Sequence, residues 1–145
     1  MTRIRQRLIG VIASVAALGM LSLIPFETTV VPEWRLRVVD ERGRPCGNMQ
    51  VNQGWQDYSV DISGGNNGER KFTNSDGYVT FQRQGIRASL TRRIVNSTIA
   101  HALVLAHGSV GISGYVFASG MKNGPWLNYT PGNPPPDTII VDYCG

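Results

Sequence analysis

The sequence is poor in the side chains that carry out most enzyme chemistry. It has two histidines, His101 and His107, and two cysteines, Cys46 and Cys144. Histidines six positions apart do not share one face of a helix, and two cysteines so far apart, with no histidine cluster beside them, do not match a zinc site. No nucleophile–base pair stands out either. We therefore expect no enzyme activity, no catalytic residue and no cofactor.

Charged side chains are also scarce, at 17% of the chain. The formal net charge is +4, but Arg3, Arg5 and Arg7 at the N-terminus supply three of the 14 Lys and Arg residues. From residue 27 onward the remaining 11 basic residues nearly balance the 10 acidic ones. A nucleic-acid-binding domain needs a basic stripe on its folded surface. The sequence therefore predicts no nucleic-acid partner.

Oxygen-bearing side chains are the one group that could suit a metal ion. They are Asp57, Asp61, Asn66, Asn67, Glu69 and Asp76. Calcium prefers such ligands, but their spacing matches no EF-hand loop, and Asp and Asn are common turn residues. The sequence therefore predicts no metal site, with calcium as the weaker alternative.

The N-terminal region has no charged side chain from Leu8 to Phe26. A helix of about 19 residues is about 28 Å long, which is close to the thickness of the bilayer core. The three preceding arginines favour a cytoplasmic N-terminus. Residues 8–26 are therefore predicted to be an uncleaved transmembrane helix through which the chain contacts the membrane.

A cleaved signal peptide remains the main alternative, with a buried core helix as a weaker one. The exit from the apolar run, residues 24–28, lacks the small-x-small pattern of a cleavage site. In a bacterial cell, an uncleaved anchor would make the chain a single-pass inner-membrane protein with its domain in the periplasm or outside the cell. A cleaved signal peptide would make it a secreted protein. We assign residues 1–31 to the basic tip, anchor and linker, with the linker running over 27–33, and residues 32–145 to one folded domain.

The two cysteines are expected to pair. An even number of cysteines in an exported domain favours a disulfide, and the Cys46–Cys144 bridge would close a loop of about 99 residues. Two buried free thiols are the alternative.

Alternation of apolar and polar residues predicts short strands. They are expected near residues 34–40, 49–55, 58–62, 70–73, 78–81, 86–90, 111–118 and 138–143. Residues 120–137 contain five prolines and are predicted to be an extended, strand-poor loop. About seven short strands joined by turns favour a β-sandwich.

One helix is predicted over residues 92–107, with Thr91 as its N-cap and Gly108 as its stop. Its apolar residues recur at helical spacing, which places them in a stripe on one helix face. The stripe consists of Val95, Ile99, Ala102, Leu103 and Ala106.

Two turn motifs resemble a known family. The motifs are Val38-Val39-Asp40-x-x-Gly43-x-Pro45, followed by Val51, and Thr73-Asn74-Ser75-Asp76-Gly77-Tyr78-Val79-Thr80-Phe81. They resemble the carboxypeptidase regulatory-like domains of the transthyretin-like (prealbumin-like) group, over about residues 34–90. The resemblance implies a seven-stranded Greek-key sandwich with one short helix and a non-catalytic accessory role. The hydroxyisourate hydrolases of this group end in Tyr-Arg-Gly-Ser, whereas this chain ends in Asp142-Tyr143-Cys144-Gly145.

Aromatic residues are the candidate ligand-binding groups. Trp126 and Tyr129 lie in the loop rich in proline and glycine, and Trp55 lies at the end of the second predicted strand. Exposed aromatic side chains stack on sugars or anchor a partner chain, unless they fold back into the core. We expect an exported, membrane-tethered, non-enzymatic binding or structural domain whose partner is an extracytoplasmic protein or glycan. A carbohydrate- or peptide-binding domain using these aromatics, and less so a transthyretin-like enzyme, are the alternatives.

Overall fold

The computed structural model describes residues 2–61, 67–107 and 111–144. This part of the chain contains two helices, α1 (Thr2–Ser22) and α2 (Leu90–His107), and nine strands. The strands are β1 (Pro25–Val31), β2 (Trp34–Asp40), β3 (Gln50–Asp57), β4 (Asn67–Phe72), β5 (Tyr78–Phe81), β6 (Gln84–Ser89), β7 (Ile112–Ala118), β8 (Leu127–Tyr129) and β9 (Thr138–Val141). The prediction of a mainly β domain is confirmed, whereas the seven-stranded Greek-key arrangement is not confirmed, because the described residues form nine strands in three open sheets.

Helix α1 ends shortly before Pro25, whose ring cannot continue a helix and disfavours helical geometry in the residue before it. Its segment Arg3–Ser22 has a mean hydropathy of 1.5, and none of it is buried against the rest of the protein. The helix is therefore long and apolar enough to cross a membrane, and a signal sequence meets the same criteria.

Strand β1 occupies most of the predicted linker. It pairs antiparallel with β6, from Pro25 opposite Ser89 to Val31 opposite Gln84. Val30 and Val31 are buried in the core. The linker prediction for residues 27–31 is therefore wrong, since the chain enters the β-structure almost immediately after α1.

The two larger sheets supply most of the core. One has the strand order β5-β2-β9 and the other β4-β3-β7-β8. Strand β2 pairs antiparallel with β5 and parallel with the last strand, β9, with Arg37 opposite Thr138. Fully buried side chains line the facing surfaces, and the largest of them are Trp34, Phe81, Leu36, Ile139, Val51, Val116 and Val141.

The disulfide between Cys46 and Cys144 is present, with the two Cα atoms 5.0 Å apart, so the predicted pairing is confirmed. Cys46 is buried, and its backbone N–H donates a hydrogen bond to the carbonyl of Val38 in β2. The bridge therefore attaches the end of the chain close to the strand that pairs with β9.

The two turn motifs adopt the backbone that their glycines allow. Gly43 has a φ of 77° and Gly77 a φ of 79°, both in the left-handed region that glycine enters without steric cost. The side chain of Asn74 accepts hydrogen bonds from the backbone N–H groups of Asp76 and Tyr78, which fixes the second turn.

One other local prediction differs from the structure. Tyr58 to Val60 form a turn after β3 instead of a separate strand, and Ile62 lies outside the described residues. The loop over residues 120–137 contains the short strand β8, which pairs with β7.

Helix α2 begins two residues earlier than predicted. The hydroxyl of Ser89 accepts a hydrogen bond from the backbone N–H of Arg92, so Ser89 and not Thr91 caps the helix. Of the predicted apolar stripe, Val95, Ile99 and Ala102 are exposed to solvent. The side chains of Leu103 and Ala106, and the predicted stop at Gly108, lie outside the described part.

Candidate aromatic binding groove

The outer face of the sheet β4-β3-β7-β8 carries a set of aromatic and amide side chains. Side chains alternate along a strand, so Asn52 and Gly54 of β3 point away from the core that receives Val51. Asn52 lies opposite Phe117 in β7, and Gly54 lies opposite Tyr115. Two aromatic rings of β7 therefore stand side by side on the solvent face.

The ring of Tyr115 lies directly over Gly54. A Cβ atom added to Gly54 would be 2.4 Å from Cζ of Tyr115, which is closer than any real contact. On the far side of Gly54, the paired residue of β4 is Gly68, which also lacks a side chain. The absence of a side chain at Gly54 allows the tyrosine ring to lie over this strand.

Three aromatic rings form the floor and one wall of a groove. The centroids of Tyr115 and Phe117 are 6.4 Å apart with 24° between the ring planes, so the two rings are nearly parallel. Trp126 is also 6.4 Å from Tyr115, but its plane is tilted by 53°. Trp126 is 52% exposed and Phe117 is 40% exposed, so these rings are open to solvent.

The groove has a volume of about 630 Å³, which is within the usual range for small-molecule sites. Its lining comprises Ser113, Tyr115, Phe117, Pro125, Trp126 and Asn128. A second, more polar depression adjoins it over β3 and β4 and includes Asn52 and Arg70. The Arg70 guanidinium donates a hydrogen bond of 3.3 Å to the amide oxygen of Asn52. Hydrogen-bonding groups thus border the aromatic surface.

The structure brings one of the three predicted aromatic residues into this groove. Trp126 forms its wall, whereas Tyr129 faces the core and its ring lies 6.3 Å from that of Trp34. Trp55 is half-buried and also packs against the core. Tyr115 and Phe117 were missed as site residues. Their spacing of two within an alternating strand was the sequence feature that could have identified them.

The remaining candidate groups lie apart from the groove. His101 is exposed, with its ring nitrogen Nδ1 2.6 Å from the carbonyl oxygen of Ser97, and the side chain of His107 lies outside the described part. Of the oxygen-bearing residues, Asp57 faces Arg93 and Glu69 forms an ion pair with a lysine. Asn66 is not among the described residues, and within the described ranges no three His, Cys, Asp or Glu side chains form a metal-binding group.

Asp40 is an ionisable group with a structural role. Its carboxylate accepts hydrogen bonds from the backbone N–H groups of Arg44 and Arg42 and pairs with the Arg44 guanidinium at 2.7 Å. The backbone N–H of Arg44 makes the largest contribution to lowering the pKa of this carboxyl, and partial burial opposes it. The group fixes the turn that leads to Cys46, on a part of the molecule distant in sequence from the groove.

The groove combines an aromatic surface with amide and hydroxyl groups in its lining, an arrangement suited to binding. No family model, no curated protein and no solved structure matches this chain.

Proposed function

We propose that the protein is a membrane-tethered, extracytoplasmic, non-enzymatic binding domain, and that its aromatic groove binds an oligosaccharide. The observation that carries the proposal is the exposed set of Tyr115, Phe117 and Trp126. Exposed aromatic side chains are costly to leave in water and are concentrated at recognition sites.

A sugar fits the shape and chemistry of the groove. Pyranose rings with equatorial hydroxyls expose C–H groups on their faces, and these pack onto aromatic rings, while the hydroxyls point sideways. The exposed rings of Tyr115 and Phe117 offer apolar surface for such packing, and Trp126 offers a further contact with its ring tilted from that of Tyr115. Ser113 and Asn128 lie in the groove lining and supply hydrogen-bonding groups for the hydroxyls.

The tether and the location rest on three features. Helix α1 has the length and hydropathy of a membrane-crossing helix. Arginines precede its apolar part, which favours a cytoplasmic N-terminus. The disulfide between Cys46 and Cys144 is of the kind that persists in oxidising compartments. The left-handed glycines of the two turns also support the resemblance to carboxypeptidase regulatory-like domains, which remains part of the proposal.

The experiment is a calorimetric titration of the full-length protein in lipid nanodiscs with chitotetraose and cellotetraose. We expect Trp126→Ala to weaken binding about tenfold or more, because loss of a central aromatic contact costs about 1.5–2 kcal/mol. Tyr143→Ala is the matched control, since Tyr143 is an aromatic residue that is 67% exposed but lies beside the disulfide. The absence of saturable heat with either sugar, or equal effects of both substitutions, would contradict the proposal.

A peptide is the second candidate ligand, because β8 is the outer strand of its sheet and borders the groove. An extended peptide can pair with such an edge while its side chains occupy the groove. Binding of an apolar peptide that slows amide hydrogen exchange in β8, without binding of either sugar, would favour this candidate.

A further inference from the structure

Over residues 90–102, the part of α2 whose side chains are described, the helix presents mainly polar side chains to the domain and mainly apolar side chains to solvent. Arg93, Asn96 and Ser97 are half-buried, and Ala100 is fully buried. A helix that packs on a protein core has the opposite arrangement. The contacts of α2 with the domain are therefore made by its polar face.

The polar face is attached by hydrogen bonds and charge. The Arg93 guanidinium donates to the carbonyl oxygens of Phe26 and Ile86 at 3.3 and 3.2 Å, and lies 3.7 Å from the carboxylate of Asp57. The amide of Asn96 donates to the carbonyl of Val60. These contacts orient the helix and leave its other face outward.

The outward face is mainly apolar along the part of the helix whose side chains are described, with the polar Thr98 and His101 also exposed on it. Ile94 is 58% exposed and Val95 is 50% exposed, and Leu90, Ile99 and Ala102 are also exposed. Burying a side chain of this size stabilises it by about 1.5–3 kcal/mol relative to water. A face of this composition is the kind that rests on another apolar surface.

The position of α2 identifies that surface. Its first turn is hydrogen-bonded to the last turn of α1, with the hydroxyls of Ser22 and Thr91 2.9 Å apart and the Thr91 hydroxyl donating to the Ser22 carbonyl. The pairing of β1 with β6 holds both helix ends at one end of that sheet. Exposed Leu23, Ile24 and Phe26 continue the apolar surface between the two helices. Whatever receives the end of α1 thus lies beside the start of α2.

The charges of α2 also suit a lipid surface. The helix contains no acidic residue, and Arg92 in its first turn is exposed, whereas Arg93 is turned toward the domain and faces Asp57. Cations at a helix N-terminus are unfavourable in water, because the helix dipole is positive there. Lipid phosphates beside this turn would remove that penalty, and basic residues at the edge of an apolar face are typical of helices that lie in membrane interfaces.

We propose that α2 is a second membrane contact, which lies in the interface of the leaflet from which α1 emerges, with Ile94, Val95 and Ile99 in the acyl boundary. This inference rests on the proposed tethering through α1. The second contact fixes the orientation of the domain on the membrane, whereas a single helix followed by a flexible linker would leave it free to rotate.

Nitroxide labelling of the full-length protein in phosphatidylcholine–phosphatidylglycerol vesicles tests the inference. Cys46 and Cys144 are bridged, so a single added cysteine can be labelled. The variants are Val95→Cys in α2, Leu18→Cys in α1 as the membrane reference, and Ser75→Cys in the exposed turn before β5 as the aqueous reference. The measured quantity is the ratio of collisions with oxygen, which concentrates in lipid, to collisions with a water-soluble nickel chelate.

We expect the ratio at Val95 to be several-fold higher than at Ser75 and lower than at Leu18. A ratio at Val95 equal to that at Ser75, with Leu18 in lipid, would overturn the α2 contact and leave the tether intact. A water-like ratio at Leu18 would overturn the tether itself. Shielding of Val95 from both reagents together with spin–spin broadening would show that a second copy covers the face, which also overturns the inference.

Discussion

Removal of the disulfide should destabilise the domain more than any other single change to an exposed residue. Strand β9 pairs in parallel with β2, and the paired residues Arg37 and Thr138 are about as far apart in the chain as the two cysteines. Without the cross-link, this pairing must itself close a loop of roughly 100 residues, which costs about 4–5 kcal/mol of chain entropy. With the cross-link, the unfolded chain has already lost that entropy.

Cys144→Ser is the cleanest form of the perturbation. Cys144 is exposed, so a serine loses little packing, while Cys46 remains in its buried site as a thiol. Cys46→Ala would add the cost of a cavity to that of the lost cross-link. We therefore expect Cys144→Ser to lower the free energy of unfolding by about 4 kcal/mol, which is a large part of the roughly 5–15 kcal/mol typical of a domain.

The assay is urea unfolding of the nanodisc-bound protein, followed by tryptophan fluorescence, to which the buried Trp34 contributes. The dependence of the unfolding free energy on urea concentration should also steepen, because the unbridged unfolded chain exposes more surface. Wild-type protein with a reductant serves as the second measurement and should match the variant. A decrease below about 1 kcal/mol in both samples would refute the entropic reasoning.

Three further predictions concern single side chains. Gly77→Ala should lower the free energy of unfolding in urea by about 2–3 kcal/mol, because the new Cβ would lie 2.5 Å from the carbonyl of Val38 at a φ of +79°. Gly43 also has a positive φ but has open space around it, so Gly43→Ala should lower the same free energy by only about 1–2 kcal/mol. Equal losses in the two variants would contradict the steric reasoning. Asp40 has a lower pKa in the folded than in the unfolded protein, so its stabilisation is present above the unfolded value of about 3.9 and disappears as the pH falls through the folded value. In thermal unfolding, the Asp40→Asn variant should therefore lose less stability in acid than the wild type does. Parallel plots of stability against pH for the two proteins would exclude this role. Gly54→Val should displace the Tyr115 ring and abolish sugar binding in the calorimetric titration. Its melting temperature should stay close to that of the wild type. An unchanged affinity for the sugar would show that the position of the Tyr115 ring is irrelevant to binding.

The strands with regular alternation could be predicted from the sequence, and β2 and β5 have the expected bounds. Strand β1 could not be predicted from the sequence. It begins at Pro25, and its first three residues are exposed, so only Val30 and Val31 at its end have the apolar, buried character of a core strand. Strand β8 is only three residues long. It is a strand because it pairs with β7, and its own sequence is too short to show an alternating pattern.

Periodicity found an apolar face on α2 but could not show what that face contacts. Arg93 and Asn96 form the attachment to the domain through backbone carbonyls, and such contacts leave no periodic trace in a sequence. The candidate groove was only partly predictable for a related reason. Trp126 stands out in a loop, whereas Tyr115 becomes accessible because its cross-strand neighbour is Gly54, which requires knowledge of the register.

The most direct test of the binding proposal is a nitrogen-15 spectrum of the three tryptophan indole N–H groups in the nanodisc-bound protein during titration with chitotetraose. Trp126 is exposed in the groove, Trp34 is buried, and Trp55 faces the core, so we expect the Trp126 resonance alone to move progressively and saturate. A spectrum in which the Trp126 resonance stays in place while the sugar is bound, or in which no resonance moves at saturating sugar, would contradict the assignment of the groove as the binding site.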